Sequence, residues 1–193
     1  MNILIASNNK DKIIEFRSVL EPMGHNVYSL KDLNINIEVE ETGTTFKENA
    51  FLKAEAISKL TDMVVVADDS GLEVHALDNF PGVYSARFME NSTYEEKFVE
   101  LNKMLKDKQD RTGNFACALC VMNLKKEPLY FEAVVNGIIL EKSCGKGGFG
   151  YDPIFFYPPF NKTLAEVSRE QKNEVSHRGK AIKMFVQYLK DNF

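Results

Sequence analysis

Two adjacent carboxylates, Asp68 and Asp69, follow the apolar run Met63-Val64-Val65-Val66-Ala67 and precede Ser70-Gly71. A short β-branched run reads as a buried strand, and the C-terminal end of such a strand is where an open α/β sheet usually places its ligand site. Neighbouring anions repel unless a cation or hydrogen bonds compensate, and oxygen ligands of this kind suit Mg2+ bound to a phosphorylated substrate. The competing reading is an Asp-rich turn that caps the next element.

Four further clusters sit at expected element ends. Ser7-Asn8-Asn9-Lys10-Asp11-Lys12 combines hydroxyl, amide and ammonium groups with the backbone N–H groups of a helix start, which suits an anion. It lacks the Gly-rich pattern of a Walker A loop, and a plain polar cap would look the same. Glu40-Glu41-Thr42-Gly43 places carboxylates before a Gly turn that could complete a metal site with Asp68 or Asp69, and Lys53 downstream could reach phosphate oxygens. A solvated acidic loop is the alternative there. In Gly145-Lys-Gly-Gly-Phe-Gly-Tyr-Asp-Pro153, glycines permit close approach of backbone to a ligand, and Phe149 offers a flat face to a base. Lys172-Asn173 and Ser176-His177-Arg178-Gly179 supply donors suited to carbonyl or phosphate oxygens.

The elements that must position these groups follow from periodicity. Residues 2–6 read as a first strand, followed by a helix with Ile13, Phe16 and Leu20 on one face and Gly24 near its end. Thr45-x-x-Glu48 fits a capping box for a second helix running through Leu60, and the strand ending at Asp68 comes next. A third helix starts near Ser92 or Thr93 and buries Phe98, Leu101 and Leu105. Residues 115–123 and 129–140 read as strands joined by a Lys-Lys-Glu-Pro turn. Thr163-x-x-Glu166 suggests another helix start, and an amphipathic helix with Ile182, Phe185 and Leu189 closes the chain. Alternating strands and helices with a later strand pair imply an α/β fold with a mixed, partly antiparallel sheet flanked by helices.

At 193 residues, with prolines and glycines dispersed and no linker, repeat or low-complexity tract, one folding unit over residues 1–193 is expected. A net charge of −4 gives no global attraction for nucleic acid or anionic membranes, so the expected partner is a small molecule. No apolar stretch approaches the roughly 20 residues of a bilayer span, and the N-terminus does not read as a signal peptide, so a cytoplasmic location is expected. Cys117 and Cys120 stand three apart in an expected strand and so face opposite sides, which argues against zinc or redox work.

Taken together, these motifs resemble the inosine/xanthosine triphosphate pyrophosphatases. The matching pieces are Ser7-x-Asn9-x-x-Lys12, Glu40-x-x-Gly43 with Thr45-Phe46-x-Glu48-Asn49-Ala50, Asp68-Asp69-Ser70-Gly71-Leu72, Pro81 to Phe88, Gly148 to Pro153, and Lys172-Asn173-x-x-Ser176-His177-Arg178-Gly179. One departure is Asn161, where many relatives carry Gly. The resemblance implies hydrolysis of deaminated purine nucleoside triphosphates (ITP, dITP, XTP) to monophosphate and pyrophosphate. It also implies an elongated, two-lobed α/β protomer with a central cleft, and a homodimer. A Maf-type pyrophosphatase acting on pyrimidine or modified nucleotides is the alternative, against which Phe149-Gly150-Tyr151-Asp152 and Ser176-His177-Arg178 argue.

On that resemblance Asp69 is expected as general base or water-orienting ligand, with Glu40, Asp68 and Asp69 holding Mg2+. Ser7, Asn8, Asn9, Lys10, Asp11, Lys12, Lys53 and Ser70 are expected around the substrate, with Ser7, Asn9, Lys12 and Lys53 on the triphosphate. Phe149, Gly150, Tyr151 and Asp152 are expected near the base, with Phe149 stacking on it. Lys172, His177 and Arg178 would donate to the 6-oxo oxygen of hypoxanthine or xanthine. Adenine presents an amino group there and would leave buried donors unpaired.

Overall fold

The computed structural model describes residues 1–193. Its strands are β1 (Asn2–Ile5), β2 (Asn26–Ser29), β3 (Val64–Val74), β4 (Phe80–Pro81), β5 (Thr112–Met122), β6 (Leu129–Ile139), β7 (Phe155–Tyr157) and β8 (Lys162–Thr163). The helices are α1 (Lys10–Leu20), α2 (Phe46–Ser58), α3 (Tyr94–Met104), α4 (Arg169–Val175) and α5 (His177–Asn192). Strand order is β2-β1-β3-β5-β6-β7-β8, with β4 paired to β3. β1 is parallel to both β2 and β3, whereas β4 on β3, β7 on β6 and β8 on β7 are antiparallel. This is the mixed α/β arrangement that the element order predicts.

The chain forms two compact units. The first comprises Met1–Asp69, Cys117–Ala133 and Arg178–Phe193, and the second comprises Ser70–Ala116 and Val134–His177. In the first unit, strand alternation feeds two apolar clusters. Ile3, Ile5, Val64, Val66, Cys117 and Leu119 pack with Phe16 and Leu20 of α1 and Phe185 of α5. Leu4, Val65, Ala67, Ala118 and Cys120 pack with Ala50, Ala54 and Ile57 of α2. Cys117 and Cys120 thus belong to different clusters, and both are free thiols. In the second unit, Leu72, Val74, Phe115, Val135, Ile139 and Phe155 enclose a core with Phe98 and Leu101 of α3.

Capping explains where the helices begin. Asn9 caps α1, and Thr45 and Thr93 form capping boxes with Glu48 and Glu96 at α2 and α3. Three details differ from expectation. β3 does not stop at Asp68: Leu72 and Val74, both fully buried, continue the alternation, so the two aspartates lie within the strand. α2 ends at Ser58 rather than reaching Leu60. Thr163 starts no helix; its hydroxyl donates to the Cys144 carbonyl at 2.8 Å, and the capping box that works is Ser168 with Gln171 before α4. Asn161 adopts φ 51°, a left-handed conformation that Asn tolerates better than most residues. No helix is long and apolar enough to cross a membrane.

Candidate functional site

In the first unit, strand alternation turns Asp68 and Asp69 to opposite sides of β3, and their surroundings differ. Asp68 is 1 % exposed. Its Oδ2 accepts from Arg178 Nε at 3.0 Å and from the Cys117 thiol at 3.0 Å, while its Oδ1 meets Lys12 Nζ and, at 3.5 Å, Arg178 Nη2. Arg178 Nη1 also donates to Glu15, a buried residue of α1, at 2.6 Å. Two cations, Arg178 and Lys12, therefore balance two anions, Asp68 and Glu15. Burial opposes charge on Asp68, but Arg178 and Lys12, with the thiol hydrogen bond, hold its carboxyl well below the ordinary value. Burial and the Asp68 charge push the Cys117 thiol well up, which keeps it a donor.

Asp69 has different company. Its Oδ1 accepts from Lys53 Nζ at 3.1 Å, and the same ammonium reaches Glu41 Oε1 at 2.5 Å. Its Oδ2 is buried and has no hydrogen-bond partner. Burial raises the Asp69 pKa, with Glu41 and Asp68 adding to the effect against Lys53 and Lys12. Burial works against the charge of Lys53, yet Asp69 and Glu41 lift its pKa above the ordinary lysine value. The Lys53 ammonium is shared between the two carboxylates.

The loop before α2 is locked by its helix. Gly43 N–H donates to Asn49 Oδ1 at 2.8 Å, and Thr44 N–H donates to the Glu48 carboxylate at 2.7 Å. That register delivers Glu41 to Lys53, while Glu40 remains exposed. The expected trio of Glu40, Asp68 and Asp69 is not what the fold assembles: Asp68 is committed to cations, and no three acidic, His or Cys side chains gather into a metal-holding cluster. The residues present nevertheless suit Mg2+, which commonly takes one or two carboxylates together with substrate phosphates and water. Asp69, with its orphaned buried oxygen, and Glu41 are the carboxylates that would hold it.

At the start of α1, Asn9 Oδ1 accepts from the N–H groups of Asp11 and Lys12, and Asn9 N–H donates to Ser7 Oγ at 3.1 Å. The polar cap is therefore real. It does not use up Lys12, whose side chain is 16 % exposed and carries three donors. Asn8, Lys10 and Asp11 are exposed.

The second unit holds Ser70, half-buried on β3, and the Gly-rich segment. Gly148 has φ 65°, and a Cβ there would overlap the Asp152 carboxylate. Asp152 Oδ2 accepts both the Phe149 N–H at 2.8 Å and Lys172 Nζ at 2.7 Å, and Lys172 Nζ lies 4.3 Å from the centre of the half-buried Phe149 ring. His177 is buried and stacks on Phe115 at 4.8 Å. Gly150 takes φ 64°. Tyr151, expected at the substrate, is a core residue: it is 4 % exposed, and its hydroxyl donates to the Ser85 carbonyl at 2.9 Å. Arg178, expected beside Lys172 and His177 on a base, belongs to the first unit and spends Nε, Nη1 and Nη2 on Asp68 and Glu15.

A family model described as the Ham1 family matches residues 3–188. The chain belongs to the Ham1 family. Among its Ham1 relatives, a dITP/XTP pyrophosphatase of Staphylococcus epidermidis is 44 % identical over 189 residues, covering 97 % of this chain and 96 % of the relative. One of Bacillus licheniformis, also a dITP/XTP pyrophosphatase, is 46 % identical over 188 residues, covering 94 % of each. The solved structure of the Staphylococcus aureus Ham1 protein superposes with a TM-score of 0.90 at 41 % identity over 100 % of both chains. A HAM1 protein from Coxiella burnetii gives a TM-score of 0.90 at 36 % identity over 99 % of both.

In this Ham1 chain three contributors had no clear sequence signal. Glu41 is distinguished from Glu40 only by the register that Asn49 imposes. Glu15 is buried on α1 although it stands two residues after Ile13 and so off the Ile13 face, and no helical period marks it. Cys117 reads as core, and its polar contact depends on where Asp68 lies.

Proposed function

We propose that this chain is a Mg2+-dependent nucleoside triphosphate pyrophosphohydrolase that converts ITP, dITP and XTP to the monophosphate and pyrophosphate. The reading is carried by Asp69, a buried carboxylate with a raised pKa and one unpaired oxygen, in a chain 44 % identical to a dITP/XTP pyrophosphatase. Asp69 orients a water and takes its proton as the water oxygen attacks the α-phosphorus. The bond from that phosphorus to the bridging oxygen breaks, and the bridging oxygen leaves with pyrophosphate. Asp69 and Glu41 would hold Mg2+, which would supply Lewis-acid neutralisation of the leaving charge.

Lys12 and Lys53, fixed by their carboxylate partners, offer remaining donors to the triphosphate, with Ser7 and Asn9 beside them. Base choice falls to Phe149 as a stacking face and to Lys172 and His177 as donors for a 6-oxo oxygen. An adenine amino group would leave those donors unpaired. Arg178 acts through Asp68 in this reading. We also assign the protein a cytoplasmic role in cleansing the nucleotide pool, as a homodimer, which sedimentation of the purified chain would check. The decisive experiment incubates the protein with ITP and Mg2+. IMP and pyrophosphate are the expected products. Orthophosphate in place of pyrophosphate, or ATP as the best substrate, would overturn the reading.

A further inference from the structure

Cys117 is a buried polar-capable group to which the proposed reaction gives no task. It lies on β5 at 2 % exposure, and its thiol donates to Asp68 Oδ2 at 3.0 Å. The terminal torsion of an aspartate is broad and roughly two-fold, so each added contact on its oxygens narrows where the carboxylate holds Lys12. Arg178 holds Oδ2 closely through Nε at 3.0 Å but reaches Oδ1 only at 3.5 Å. The thiol supplies a second contact on Oδ2, as Lys12 does on Oδ1.

We infer that Cys117 is a positioning residue: its S–H···Oδ2 hydrogen bond fixes the orientation of Asp68 and, through Asp68, the ammonium of Lys12 that receives the triphosphate. The inference rests on the phosphate role proposed for Lys12. A cysteine that served only as a small hydrophobe would need no such partner.

Three substitutions separate the two roles. Cys117→Ser keeps a donor, Cys117→Ala removes it, and Cys117→Val fills the volume without one. The loss of one hydrogen bond to a charged group predicts a rise in KM for ITP on the order of 3- to 10-fold in the Ala and Val variants. Their kcat should change less than their KM, and the Ser variant should stay close to the parent. A packing role predicts the reverse order, with Val nearest the parent and Ser worst. Val at the parent KM, or Ser as impaired as Ala, overturns the inference.

Two readouts do not depend on turnover. In the infrared S–H stretching region, Cys117→Ala should remove the thiol band of lowest frequency; removal of a band at the position of the exposed Cys144 overturns the inference. Calorimetric titration with inorganic tripolyphosphate should give the same order, with Ser near the parent and Ala and Val weaker. If the parent binds tripolyphosphate in that order yet releases no pyrophosphate from any nucleoside triphosphate, the proposed reaction fails and the role of Cys117 stands.

Discussion

The acidic stretch of the first unit and the Asp152–Lys172 pair of the second both bury carboxylates against lysines, but they are built to different ends. Around Asp68 and Asp69, charges are numerous, and one carboxylate oxygen is left without a partner. Around Asp152, an ion pair with side chains 5 % and 3 % exposed braces the backbone of Phe149 and leaves its ring half-buried. The first arrangement suits a charged ligand and its reaction. The second holds an aromatic face steady. Even within the first, adjacent residues divide the work: Asp68 is charge-balanced and anchors neighbours, while Asp69 has a raised pKa and an open oxygen.

The sharpest way to break this division is to neutralise each aspartate in turn. Asp69→Asn should lower the rate of pyrophosphate release by about 10^2- to 10^4-fold, the range of a lost general base. Its thermal midpoint should hold or rise, because the raised pKa means that the ionised form is disfavoured in the fold. Near-normal turnover would remove Asp69 from the chemistry. Asp68→Asn should do the opposite to stability and cost about 3–5 kcal/mol, since it leaves Arg178 and Lys12 in a buried site short of an anion. The pH dependence has a definite sign. Asp68 titrates below its unfolded value, so its stabilisation is present above the ordinary value of 3.8 and is lost as pH falls below it. Denaturation by urea across the acid range should show a shallower loss in Asp68→Asn than in the parent.

The local features of this site were legible in the sequence. Thr45 announces α2 and therefore the placement of Lys53, and the valines before Asp68 announce β3. Phe149 and Lys172 stand out by their Gly-rich and basic contexts, and the structure brings them together. What was hidden depends on contacts between distant residues. Arg178 meets Glu15 across 163 positions of sequence, a pairing that no local period encodes. The reach of Glu41 to Lys53 and the bond from Cys117 to Asp68 are likewise decided by tertiary register.

The second unit is sharpened by smaller effects. Phe149→Ala removes the stacking face, and base–aromatic stacking worth about 1–3 kcal/mol predicts a rise in KM for ITP on the order of 10-fold or more. Phe149→Tyr should retain most of the affinity. An equal loss in both variants would mean that the ring packs on protein and not on a base.

Gly148→Ala tests whether the brace matters apart from the ring. At φ 65° a side chain is strained, and the added Cβ would push on the Asp152 carboxylate that holds both the Phe149 N–H and Lys172. The strain is about 1–2 kcal/mol, a modest effect on stability. Its expected signature is a fall in the ratio of ITP to ATP turnover, with the residual reaction still releasing pyrophosphate, because Asp69 and Lys53 are untouched. Selectivity that survives while the overall rate collapses would place Gly148 with the reacting groups and erase the contrast between the two regions.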